Sequence, residues 1–477
     1  MPNGKITLII PVENQVRELD GKLLLACVAA ERGFDVVIGS LSFVEFLIPF
    51  LPRGIYLAKS MTPVGQKMLK LIRGLGHDIV AWDEETLVRY DAPDYTHWRF
   101  SEGGFAVLDQ LFAWGRDDAE LYAGYEGYGG APIHRTGNPR IDLLRPGLRE
   151  YFRPEVDELQ RRHGEFILVN TNFAFVNHFL ATENLWQGGG KGEGGSGLGR
   201  PGRGMSPEFA KGQAAHVQVI FDAFKTLIPQ LSAWFPDRNI VVRPHPSENH
   251  ETWRVFEQLN PNVRVIHEGN AVPWLMACKL LLHNGCTTAV EAAVLGQPAV
   301  SYQPVSAARH DYHLPNVLSH SAVTAEEVRE RIAAILAGEL HLVDEDLRRR
   351  TFDRHLTAID GPLAVDRIMD VLQKETDGAR HGSRRSKKAW VIANGRTLLK
   401  LGNMLRPGHR SGLRYHKQRF RTISAQQLQL RIDRLAHLLG RFQGVRAEAC
   451  APFTFRLVGS DAKFDTRPTK RPAGYAP

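Results

Sequence analysis

The stretch with the most specific chemistry is Val241-Val-Arg-Pro-His-Pro-Ser-Glu248. Pro244 and Pro246 restrict the backbone around His245, Arg243 adds a permanent positive charge, and a helix starting at Asn249 would aim free N–H groups at the same space. That combination suits a phosphate, although an isolated His-Pro pair is more often a solvent-facing loop. A second stretch, Leu280-Leu-Leu-His-Asn-Gly-Cys-Thr-Thr-Ala-Val-Glu291, shifts the balance. There an apolar run enters His283-Asn284-Gly285, and Thr287 or Thr288 opens a helix as its cap, offering hydroxyl and backbone donors to another phosphate oxygen. Glu291, one turn after Thr287, lies on the same helix face and can reach a ribose diol. Capping alone would explain the hydroxyls and a solvated face would explain Glu291, but neither explains their joint placement at a strand end.

The first half holds weaker candidates. Asp83-Glu84-Glu85 ends an apolar run, and clustered carboxylates repel one another, which raises a pKa and makes a usable general base. Simple solvation is the commoner reading of an acidic triplet. Asn14 and Arg17 follow the first apolar run, where the arginine could receive an anionic substrate group. Asn138, in Thr136-Gly-Asn-Pro, and Asn170 and Asn172, in Val-Asn-Thr-Asn, fall near a domain junction; turn or hinge roles compete there with ligand contact.

These residues must be positioned by the elements around them. Ile6 to Val12, Asp35 to Ile38, Gly54 to Ala58, His77 to Trp82 and Leu111 to Trp114 read as strands separated by helix-length amphipathic stretches. A second alternation runs through Phe166 to Asn172, Asn239 to Arg243, Val263 to Ile266, Lys279 to His283 and Pro298 to Tyr302. Strands alternating with helices specify parallel sheets covered on both faces, and ligands bind beyond the strands' carboxyl ends. The fold class expected is α/β, two facing Rossmann-like domains over 1–150 and 151–373 with one cleft between them. Ten of the 17 residues from Gly188 to Gly204 are glycine, which predicts a mobile loop or a disordered insertion.

At 477 residues the chain is too long for one core, and 43% apolar with 23% charged residues is an ordinary globular mix. Cys27, Cys278, Cys286 and Cys450 have neither disulfide-framework nor metal-knuckle spacing. Only Lys5 precedes the short first apolar run and no apolar run reaches the roughly 18 residues of a spanning helix, so a cytoplasmic or membrane-peripheral protein is expected.

The net charge of +8 conceals a division. From Gly378 onward there are 22 Lys and Arg against 4 Asp and Glu, a net of +18, which leaves −10 for the residues before. Residues 374–477 therefore read as a basic, partly helical tail. Lys388 to Leu405 is one amphipathic stretch; Leu428, Ile432, Leu435, Leu439 and Phe442, flanked by Arg431, Arg434 and Arg441, form another. Docking on the acidic body and binding an anionic membrane surface are both open, and the tail also makes nucleic acid a partner to be weighed, although not the one expected.

The series from Arg17-Glu-Leu-Asp through Asp83-Glu-Glu, Thr136-Gly-Asn-Pro-Arg, Asn170-Thr-Asn-Phe, Arg243-Pro-His-Pro and His283-Asn-Gly-Cys-Thr-Thr to Asp360-Gly361 resembles the bacterial surface carbohydrate biosynthesis proteins, a GT-B glycosyltransferase-like family. The resemblance spans roughly residues 5–373. More distantly, the order of motifs is similar to bacterial sialyltransferases and polysialyltransferases that use CMP-activated sugars, in which an acidic motif supplies the base and His-Pro and Ser/Thr motifs hold the nucleotide phosphate. Thr86 stands where that acidic motif has glycine.

The resemblance implies a metal-independent glycosyltransferase without a cofactor, moving a sugar from a CMP- or UDP-linked donor to a glycan or lipid-linked acceptor. Asp83, Glu84, Glu85 and His245 would be catalytic; Arg243, His245, Pro246, Asn284, Gly285, Thr287, Thr288 and Glu291 would hold the nucleotide; and Asn14, Arg17, Asn138, Asn170 and Asn172 would meet the substrate. Two other readings follow from the same residues: a non-hydrolysing UDP-sugar 2-epimerase, which shares the layout, and a nonenzymatic binder of anionic glycan or nucleic acid driven by the tail.

Overall fold

The computed structural model describes residues 5–187, 197–378, 385–404 and 420–459. Two sheets carry the fold. The first runs β1 (Thr7–Val12), β2 (Asp35–Ser40), β3 (Gly54–Ala58), β4 (Asp78–Ala81), β5 (Gln110–Ala113) and β6 (Ile133–Arg135), all parallel, in the order β2-β1-β3-β4-β5-β6. The second contains β7 (Phe166–Asn170), β8 (Asn239–Arg243), β9 (Val263–Val265), β10 (Leu280–His283), β11 (Ala299–Tyr302) and β12 (His320–Ala322), ordered β12-β11-β10-β7-β8-β9 and again parallel. β1 and β7 are buried along their whole length, as near-continuous runs of Ile, Leu and Val require when helices cover both faces. The chain reverses its direction of sheet growth between β1 and β3 and between β7 and β10, so the loops leaving those strands open crevices at the carboxyl edges.

Residues 420–459 join the body. β13 (Arg446–Ala451) and β14 (Thr454–Val458) form a hairpin, and β14 pairs antiparallel with β2, extending the first sheet to eight strands. Gly39 makes that approach possible, since a Cβ there would lie 2.5 Å from the Phe453 carbonyl oxygen. The helix Ala425–Leu439 buries Leu428, Ile432 and Leu435 in the principal core, while Arg434 meets Glu155 and Arg441 meets Glu31 and Asp366 on the body. Docking on the body therefore accounts for this basic helix.

The two sheets are tied together at several points. Asp142, just after β6, accepts the Ala364 and Val365 backbone N–H groups at 2.8 and 3.0 Å and so caps the helix Ala364–Gly378; burial pushes this carboxyl up to about 7. Asp20 accepts from Tyr151, from Asn270 of the second sheet's domain at 2.7 Å and from Arg431 of the C-terminal helix. Of the glycine-rich stretch, 188–196 lies outside the described residues. The remainder packs: Trp186 bridges Leu198, and Trp98 donates to the Pro201 carbonyl at 3.0 Å. No helix among the described residues is long and apolar enough to cross a membrane.

Candidate active site

Ladder register places Asn170 of β7 beside Arg243 of β8 on one side and His283 of β10 on the other, so three strand ends deliver polar residues to one edge. A cleft opens there, lined from the second domain by Asn170, Asn172, Arg243, His245, Pro246, Thr287, Thr288 and Glu291 and from the first by Arg17, Glu85 and Arg140.

Arg243 is buried. It lies over the Trp274 ring and donates to the carbonyls of Glu268 and Gly269 at 2.9 and 2.7 Å. No carboxylate among the described residues pairs with it, and burial lowers its pKa to about 10. His245 is half-buried. Its Nδ1 accepts the Ser247 N–H at 3.2 Å, so a neutral ring carries its proton on Nε2. The loop that carries it is held by Glu248, a buried carboxylate accepting from the His245 and Phe173 N–H groups, the Thr171 hydroxyl, the Trp253 indole and Asn177. The helix expected to begin at Asn249 starts instead at Glu251, whose N–H donates to the Asn249 side chain at 3.2 Å.

On the other side of the switch point, the helix Thr287–Leu295 has Cys286 at its N-cap, not a threonine. Thr287 and Thr288 occupy its first turn, and the Thr288 hydroxyl accepts from Asn170 at 3.1 Å. Asn284 and Gly285 stand behind the cleft. Asn284 accepts the Asn172 N–H at 2.9 Å and returns a bond to its carbonyl, while Asn172 donates to the Gly285 carbonyl at 3.2 Å. This clasp fixes the two switch-point loops to each other.

The acidic triplet divides. Asp83 is fully buried, paired with Arg99 and hydrogen-bonded by Tyr95. Glu84 is buried against Lys22 at 3.0 Å and the Trp82 indole at 2.8 Å, and its pKa is lowered, the cost of burial being outweighed by Lys22 and Arg140. Only Glu85 faces the cleft. Arg17 grips both its oxygens at 3.2 and 3.3 Å, and although burial opposes it, that arginine holds the carboxyl well below the usual range. The mutual repulsion expected to raise a pKa is therefore absent for Glu84 and Glu85, since each has its own cation. Breaking a buried pair costs about 3–5 kcal/mol; Lys22 would keep Glu18, so Glu84→Gln should cost about 2 kcal/mol of stability. Urea unfolding measures this, and lost turnover at unchanged stability would instead mark Glu84 as a base.

Asn14 and Asn138 do not line the cleft. Asn14 precedes the helix Gln15–Glu31, with its N–H on Glu18, and Asn138 caps the turn Pro139–Asp142 by accepting the Arg140 N–H at 3.0 Å. Arg140 is what the sequence reading missed. It reaches across the cleft to Glu291 at 2.5 Å and lies over Trp114, so Glu291 meets a cation from the opposite domain. His267 and Asn270 also line the cleft unanticipated; burial and the nearby Arg243 push His267 down to about 2. Among the described residues, no group of three or more His, Cys, Asp and Glu side chains is placed to hold a metal ion.

No protein-family model matches the sequence, and no curated protein matches it. The chain is distantly similar to several solved structures. The wall teichoic acid polymerase TagF aligns over 78% of this chain and 89% of its own, at 10% identity and a TM-score of 0.46. A Methanocaldococcus jannaschii UDP-GlcNAc 2-epimerase, solved with UDP-GlcNAc and UDP, aligns over 78% of this chain and 100% of its own at 12% identity and a TM-score of 0.47, and the Rickettsia bellii UDP-N-acetylglucosamine 2-epimerase over 78% and 98% at 12% and 0.45.

Proposed function

We propose that this protein is a GT-B-type glycosyltransferase that moves a sugar from a nucleotide donor, CMP-linked in the reading we favour, to a glycan or lipid-linked acceptor. The observation that carries the reading is Arg243: a buried cation without a carboxylate partner among the described residues, at the carboxyl edge of a parallel sheet, beside His245 and the N-terminus of the helix Thr287–Leu295. A phosphate would complete that charge and accept from the Nε2–H of His245 and the first-turn donors at Thr287 and Thr288. Glu291 is available to the ribose once Arg140 shares it.

In this reading the acceptor oxygen attacks the anomeric carbon while the bond to the phosphate oxygen breaks. The bonding pair leaves on the phosphate, where Arg243 and His245 meet it, and no divalent cation is assigned a role. The acceptor proton passes to Glu85, the triplet member at the cleft. Arg17 keeps Glu85 ionised but weakly basic; an acceptor bearing an anionic group would draw Arg17 away and raise its proton affinity.

Thermal stabilisation by a panel of CMP-, CDP-, UDP- and GDP-compounds tests the proposal, because a ligand that binds only the folded state raises its melting temperature. A shift with CMP compounds that is lost in His245→Ala is expected. No shift with any nucleotide would overturn the donor assignment, and an epimer formed from sugar nucleotide alone would replace transfer by epimerisation.

A further inference from the structure

The helix Lys387–Met404 is docked with its polarity reversed. Its inner face carries small residues: Ala389 and Ala393 are buried in the core beside the helix Gln66–Gly74, and a Cβ on Gly74 would lie 2.9 Å from that of Ala389. Arg396 and Lys400 turn inward to Glu45, at 2.7 and 3.6 Å. The large apolar residues turn outward. Val391 is 63% exposed, Ile392 50%, Leu398 70% and Leu399 73%, and at helical spacing they form one stripe with Gly395 and Gly402. A surface helix stabilised only by its docking would carry this stripe inside.

Charge surrounds the stripe. Exposed Lys67 and Lys70 of the neighbouring helix join Lys388 in a shallow groove that also contains Ile392, and among the described residues none of the three pairs with a carboxylate. The helix itself contains no acidic residue. We propose that this face is a bilayer-docking surface: Val391, Ile392, Leu398 and Leu399 enter the acyl boundary while Lys67, Lys70 and Lys388 meet anionic headgroups. A second copy of the chain is the poorer occupant, since its own lysines would oppose these, whereas an anionic leaflet complements both the apolar stripe and its rim. The assignment also divides the basic C-terminal segment: Ala425–Leu439 and the β13–β14 hairpin are spent on the body, and among the described residues of the segment Lys387–Met404 is the helix that presents an apolar stripe outward. The surface stands independently of the glycosyl-transfer reading, but it would bring the first domain to a lipid-linked acceptor.

Sedimentation of the full chain with vesicles of phosphatidylglycerol and phosphatidylcholine, against phosphatidylcholine alone, tests it. Binding to the anionic vesicles at low salt is expected, at least tenfold weaker in L398E/L399E and weakened also in K67E/K70E, with unchanged melting temperature in both variants. Absence of binding to anionic vesicles, equal binding to neutral ones, or full binding by L398E/L399E would overturn the proposal. So would a wild-type dimer that L398E/L399E dissociates while vesicle binding is absent. Nucleotide-induced stabilisation, measured in parallel, reports separately on the cleft.

Discussion

A chain ending at residue 419 should fail to give a folded body. Its loss removes β14 from the edge of the first sheet and takes Leu428, Ile432, Leu435, Phe455 and Leu457 out of the core, all of them at most 3% exposed. Truncating a single buried Leu or Ile to Ala costs about 2–5 kcal/mol, and a whole domain is stable by only about 5–15 kcal/mol. Five such losses, together with an exposed β2 edge and five carboxylates that each lose an arginine partner, exceed that margin. The expected result is no cooperative thermal transition and no recoverable soluble protein, with Leu428→Ala alone losing about 2–5 kcal/mol in urea. A truncated body that melts within a few degrees of the full chain would show that the C-terminal packing is peripheral to stability. The vesicle-binding variants, by contrast, lie on an exposed face and should leave stability untouched.

Arg243→Met should separate binding from folding in the opposite direction. Methionine can keep the apolar contact with Trp274 while removing a buried cation that carbonyls, not carboxylates, accompany. Burial of an uncompensated charge is unfavourable, so the ligand-free variant should melt at or above the wild-type temperature. Its nucleotide affinity should fall roughly 10- to 150-fold, the equivalent of the about 1.5–3 kcal/mol carried by a hydrogen bond to a charged group. Calorimetric titration with CMP, beside thermal melts without ligand, reads both. If affinity is retained, the phosphate lies elsewhere; if the ligand-free protein unfolds, Arg243 is structural.

The alternation of strands and helices was legible in the sequence because burial on both faces leaves continuous apolar runs, and most runs recur as strands within a residue or two. The placement of motifs was legible for a related reason. In each parallel sheet every strand delivers its following loop to one edge, so residues after β1 and β4 gather at one edge and residues after β7, β8 and β10 at the other, whatever their separation in the chain, and the cleft lies where the two edges face each other. Arg17, Glu85, Asn170, Arg243, His245 and Thr287 meet there on that account. Which carboxylates would face it could not be read, because the deciding partners are tertiary. Lys22 claims Glu84 and Arg99 claims Asp83, and nothing in an acidic triplet announces either cation.

The C-terminal segment shows the limit most plainly. Composition determined that a net +18 must meet negative charge, and that the residues before it carry −10. It did not determine where. Asp20, Glu31, Asp35, Glu155 and Asp366 supply part of the answer within the chain itself, and an edge-strand pairing between Thr454–Val458 and β2, more than 400 residues earlier, fixes where that part of the segment docks. Backbone pairing at a sheet edge uses N–H and C=O groups that every residue has, so it leaves little mark in side-chain pattern. A basic amphipathic helix is also the same sequence whether its partner is a lipid headgroup or an aspartate. Only the folded surface, by burying Leu428 and exposing Leu398, distinguishes the two.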